Sequence, residues 1–128
     1  MKLLPKQTNE ASFLRFGTEV ISLLEKRDFQ SLADRFGYAL AFGRNPAFAI
    51  EGDFQSCIAE FRALSEQRAP LPPSMAVKFF KPNSANLFAV VECVFTATDD
   101  CPILAELIVT SSGENKHITL EQVSLATT

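Results

Sequence analysis

The stretch "EQRAPLPPS", residues 66 to 74, separates two halves of the chain with different periodicities. Its three prolines in four residues remove backbone donors and push their predecessors into extended conformation, so no helix runs through it. Upstream, apolar residues recur at every third and fourth position; downstream, they alternate. This switch from period 3.6 to period 2 predicts helices first and strands second, the element order of an α+β layer design.

Immediately upstream, a third helix is expected from Pro46 to about Gln67. Its buried stripe would be Ile50, Phe54, Cys57, Ile58, Phe61 and Leu64, with Glu51, Asp53, Gln55, Glu60 and Arg62 elsewhere. A first helix is expected from Asn9 to Arg27 on Phe13, Leu14, Gly17, Val20, Ile21 and Leu24, with Thr8 or Asn9 as its cap. A second begins at Asp28 and buries Leu32, Ala33, Phe36 and Leu40, although Ser31 and Asp34 offer a competing start. Between the second and third helices lies "GYALAFGRNPAFAIEGDF", residues 37 to 54. There Gly43 is expected to end a helix in left-handed conformation, Asn45 to cap the next and Pro46 to take its first position. Gly52 falls inside that helix at a cost of up to about 1 kcal/mol relative to alanine, which close approach of a neighbouring element would explain.

Downstream, four strands are expected: Ala76 to Lys81, Leu87 to Thr98, Ile103 to Thr110, and His117 to Val123 or Leu125. The turn signals "PNSAN", "DDCP" and "SSGEN" between them are short enough for antiparallel hairpins. The predicted architecture is a curved four-stranded antiparallel meander with three N-terminal helices on one face, a single domain over residues 1–128.

Composition excludes several function classes. A net charge of -3 and scattered Lys and Arg, with Lys26-Arg27 the one adjacent pair, argue against a nucleic-acid partner, whose affinity comes from clustered cations. Cys57, Cys93 and Cys101 lack CxxC spacing, so neither a metal site nor a disulfide framework is signalled and no cofactor is expected. The thiols read as reduced ones in a cytoplasmic protein. No apolar run approaches the ~20 residues of a membrane span, so no membrane association is expected. "GYALAFG" lacks the lysine and the strand-to-helix setting of a phosphate-binding loop.

Chemistry concentrates in the strands. Glu92 interrupts "AVVECVF" and Glu106 interrupts "ILAELIV", each a lone carboxylate in an apolar run. Alternation groups Glu92 with Phe88, Val90 and Val94, and Glu106 with Leu104, Ile108 and Thr110; the hairpin register decides whether the two groups share a face. Facing carboxylates in an apolar setting could serve as acid and base, or they could keep the sheet face away from the helices soluble. That outer face would still carry Phe80, Phe88, Val90, Val94, Leu104 and Ile108, more apolar area than water tolerates comfortably, so a partner or a homodimer mate is expected to cover it. His117, the single histidine, shares a strand face with Thr119 and Glu121, as a surface residue or as a pocket base. Asp99 and Asp100 read as turn residues that bond their own backbone.

Three helices before an antiparallel sheet resemble the nuclear-transport-factor-like superfamily, the cone-shaped cystatin-like α+β fold. The likeness rests on element order over most of the chain, and the strand pair that family usually inserts between its second and third helices has only "YALAF" to form it. The resemblance implies small-molecule enzymes, dimerising adaptors or bacterial toxin-immunity proteins, and it assigns no catalytic residue here. The preferred expectation is a non-catalytic cytoplasmic binder, most concretely an immunity protein covering a basic toxin domain, with Phe80, Phe88, Val90, Glu92, Glu106, Ile108, His117 and Glu121 at the interface. The alternative is a small pocket enzyme, an isomerase or hydrolase, using Glu92 or Glu106 with His117.

Overall fold

The computed structural model describes residues 1–64 and 72–126. Three helices, α1 (Glu10–Glu25), α2 (Phe29–Phe36) and α3 (Pro46–Ala63), precede most of an antiparallel sheet. Among the described residues its strands are β1 (Lys2–Leu3), β2 (Ser74–Phe79), β3 (Leu87–Thr96), β4 (Pro102–Ser112) and β5 (Asn115–Leu125), in the order β1-β5-β4-β3-β2. The last four form the expected meander. The fifth, β1, corrects the four-strand expectation by pairing Lys2 with His117 and Leu3 with Lys116.

The helices start where side-chain oxygens satisfy free backbone donors. Asn9 accepts from Ser12 N–H, Asp28 from Ser31 N–H and Asn45 from Phe48 N–H, with Pro46 at the first position of α3. Asp28 also accepts from the Ser31 hydroxyl, so Ser31 lies inside α2 and the competing start is not used. The junction after α2 differs from expectation. Gly37, at φ +70°, ends α2, and "YALAF" makes a tight 3-10 turn over Ala39–Ala41 instead of a strand pair. Gly43 follows that turn at φ +82°, after Phe42 at φ +50°. Helix α3 ends at Ala63, short of the expected Gln67, and Leu64 is exposed beyond its last turn. The crossover prolines Pro72 and Pro73 precede β2, whereas Pro70 and Gln67 lie outside the described residues.

The core follows the two periods. Phe13, Val20 and Leu24 of α1, Phe29, Leu32 and Phe36 of α2, and Ile50, Phe54, Cys57 and Ile58 of α3 meet one sheet face. Alternate strand residues fill it from the other side: Ala89, Val91, Cys93 and Phe95; Ile103, Ala105, Leu107 and Val109; Ile118, Leu120 and Val123. Phe16 is also buried, which the sequence stripe omits.

Two anchors fix the helical layer over the sheet. The Tyr38 hydroxyl donates to Asp53 Oδ2 at 2.6 Å and accepts from Val123 N–H at 3.3 Å, joining the α2–α3 junction to β5. Burial, reinforced by the Asp53 bond, pushes this phenol above its usual range. At the opposite end, Arg27 donates to Thr98 at 2.8 Å and Arg62 to Asp99 at 2.6 Å, holding the β3–β4 turn against α1 and α3. Asp99 and Asp100 both take φ of +60° in this turn, but the Asp99 carboxylate accepts from Arg62 rather than from its own backbone as expected.

Glycine 17 is the close approach in this fold. A Cβ built on it would lie 2.7 Å from Met75 Sδ and 2.9 Å from Cys93 Sγ, so α1 rests on β2 and β3 where its side chain is missing. Gly52, expected to play that part, has nothing within 4 Å of the same built atom. It is exposed on α3, and the structure offers no packing reason for it.

Candidate functional site

The sheet face opposite the helices carries Ala76 and Lys78 of β2, Val90, Glu92 and Val94 of β3, Leu104, Glu106, Ile108 and Thr110 of β4, and His117 and Thr119 of β5. Among the described residues no helix or strand packs over it. Val94, Leu104 and Ile108 are half-buried there, and Val90, at 9% exposure, is covered without joining the main core.

The hairpin register settles how the glutamates stand. Thr96 pairs with Pro102, which puts Glu92 directly opposite Glu106. Ala97 N–H donates to Cys101 O, so odd-numbered β3 residues make the hydrogen-bonded pairs with β4. Glu92 and Glu106 therefore form a non-hydrogen-bonded pair, the class whose Cα atoms approach to about 4.5 Å. Like charges this near repel, and one cation relieves them: Lys78 Nζ lies 2.8 Å from Glu92 Oε1. Glu106 keeps the strain. Burial pushes its carboxyl above the usual range, Glu92 and Glu121 push it further, and Lys78 pulls the other way.

Glu121 reaches this cluster through an irregularity. Glu106 pairs with Gln122 but Leu107 with Leu120, so Glu121 is the extra residue of a β-bulge. Beyond it the alternation resets, and Val123 returns to the core.

His117 does not join the carboxylates. It pairs with Thr110 on β4, and Thr110 lies four residues along the strand from Glu106, roughly 13 Å at the rise of an extended chain. An acid-base pair needs hydrogen-bond reach, which this register denies to Glu106 and Glu92 with His117. Its cross-strand neighbour on the other side is Lys2.

Phe88 leaves the face altogether. A second bulge, between Leu87 and Ala89, turns its ring toward the helices, where it meets Phe13 at 6.2 Å and Phe79 at 5.7 Å between centroids. The grouping of Phe88 with Val90 and Glu92 by strict alternation is thereby corrected. Phe80 lies just past β2, at a cleft of about 320 Å³ walled by Phe80, Leu87, Phe88 and Lys116. This cleft and three others, beside Arg15, beside Asp34 and beside Leu4, do not take in Glu92, Glu106 or His117.

Sequence reasoning missed Lys78 as the counter-ion. Its place between Ala76 and Phe80 on an alternating strand was the available signal. Phe42 and Phe48 were missed too: they stand 80% and 75% exposed at the helical junction. Among the described residues no group of three or more His, Cys, Asp or Glu is placed to hold a metal ion. The three thiols are free and buried, and burial raises Cys93 to about 12 and Cys57 to about 11. No described helix is long and apolar enough to cross a membrane.

Compared with protein-family models, curated proteins and solved structures, the chain matches none.

Proposed function

We propose that this chain is a non-catalytic, cytoplasmic protein-binding module whose partner docks on the outer sheet face, most concretely an immunity protein that neutralises a basic toxin domain. The observation that carries the reading is the opposed Glu92–Glu106 pair with Glu121 beside it, set among Val90, Val94, Leu104 and Ile108 with one lysine in attendance. A cationic partner relieves the repulsion that Lys78 relieves only in part, while its apolar atoms cover the aliphatic side chains. The surplus of negative charge also speeds encounter with such a partner and rejects acidic ones. The pocket-enzyme reading has less to rest on, because His117 is out of reach of both carboxylates.

The test is capture of the partner from the native host, its comparison with the product of the neighbouring coding sequence, and an assay of the captured protein's toxicity with and without this chain. Ile108→Lys and Glu106→Lys, both on the outer face, are expected to weaken capture by about tenfold or more, as losses at an interface centre do. Toxicity should fall in the presence of the wild-type chain and persist with either variant. Unchanged capture by both variants would move the interface to the helices or loops. No partner, together with turnover of a small molecule that is lost in Glu106→Gln, would replace the binding reading with the enzymatic one.

A further inference from the structure

The two edges of the sheet are unlike. Strand β1 is two residues long and followed by Pro5, a blunted edge that offers little to another strand. At the other end β2 spans six residues, Ser74–Phe79, and among the described residues nothing pairs with its outer side.

The direction of its backbone groups follows from one bond. Phe80 N–H donates to Phe88 O at 2.9 Å, so even-numbered residues of this segment point their N–H and C=O toward β3. Met75, Val77 and Phe79 therefore turn theirs outward. Their side chains lie on the helix-facing side, where Phe79 is still 49% exposed.

This edge is complementary to itself. A twofold axis beside Val77 sets Val77 against Val77 of a second copy, and Met75 against Phe79 in both directions, each as a hydrogen-bonded antiparallel pair. Every outward N–H and C=O of these three residues then has a partner. Side chains agree with this register as well. Met75 packs across from Phe79 on the helix side, and on the outer face Ala76 falls opposite Lys78, so the two lysines are never directly opposed. Lys78 is the kind of edge charge that ordinarily discourages strand pairing, but Glu92 already neutralises it within its own chain. We infer that β2 is a homodimerisation edge, joining two copies of this chain about a twofold axis into one continuous antiparallel sheet.

The inference concerns the edge and is independent of what covers the outer face. Two variants test it while sparing the β2–β3 ladder. Val77→Pro removes an N–H that β3 does not use, a position where an edge strand tolerates proline. Val77→Lys sets two ammoniums directly against each other across the twofold axis, on the side of the sheet that carries neither Glu92 nor Glu106. Light scattering across a dilution series is expected to give twice 14.1 kDa for the wild type and 14.1 kDa for both variants, with unchanged far-ultraviolet circular dichroism. A wild type that stays at 14.1 kDa at its highest concentration, or that forms an open series of larger species, overturns the inference. So does a dimer that persists in Val77→Lys, the variant that decides if Val77→Pro loses its fold.

Discussion

Gly17 and Gly52 are both glycines inside helices, yet alanine should act on them with opposite sign. At Gly17 the added methyl meets Met75 Sδ and Cys93 Sγ inside contact distance. Met75 is long enough to swing away; Cys93 is short and fully buried, so the strain of overpacking, about 1–3 kcal/mol, outweighs the gain in helix propensity. Gly17→Ala is expected to lower the urea midpoint, and Cys93→Ala in the same chain to recover part of the loss. Gly52→Ala meets open space and reduces the freedom of the unfolded chain, so it should raise stability by up to about 1 kcal/mol. Equal signs for the two substitutions in chemical denaturation would contradict the packing described for α1. From sequence, the two glycines look reversed: Gly17 falls on the apolar stripe as one more small core residue, while Gly52 interrupts a helix and invites a packing reason. Only the crossing of α1 over β2 and β3 tells them apart, and a single helix's periodicity contains no information on where another element crosses it.

Capping chemistry explains why the helix starts were readable. Asn9, Asp28 and Asn45 each carry a short side-chain oxygen at the position where the periodic pattern begins, and each accepts the expected backbone N–H. Asn45→Ala should therefore cost about 1 kcal/mol, seen as a lower urea midpoint with an unchanged slope, and Asn45→Asp much less. A neutral Asn45→Ala would mean that Pro46 alone sets the start of α3. Ends were less legible, because α3 stops at Ala63 although its apolar pattern continues to Leu64. The strands were readable by alternation as far as alternation holds. It fails at Phe88 and at Glu121, where an inserted residue shifts the faces, and no turn residue or proline announces either bulge. Strand β1 was invisible because two residues have no period; β5 makes Lys2 and Leu3 a strand by pairing with them.

Across the whole molecule, the outer face sets a pH dependence. The Glu106 carboxyl titrates above its usual range in the folded chain, because burial, Glu92 and Glu121 all disfavour its charge and Lys78 offsets them only partly. A raised folded-state value contributes stability that is full below the unfolded carboxylate range and is lost as pH rises through the raised value. Ionised Glu106 therefore weakens the native state at neutral pH. Glu106→Gln, which resembles the protonated acid, is expected to raise the urea midpoint near neutral pH, and the difference from wild type should close as pH falls to about 4. A constant difference at both pH values would show that the effect is packing and not charge. This much of the candidate site was legible: two lone carboxylates in apolar strands point to one face once the register is known. The register was not legible, nor was the separation of His117, since both depend on how many residues the β3–β4 turn spends before pairing begins.

The pairing of Lys2 with His117 imposes an order on assembly. Strand β1 has no partner until β5 is in place, and so short a ladder does little by itself to hold closed a loop that spans nearly all the described residues. β1 is therefore expected to join only after the β4–β5 hairpin has formed the edge it pairs with. Until then Leu3, buried in the finished protein, remains in water. The short segment that precedes every helix in the sequence is thus the one that closes the sheet.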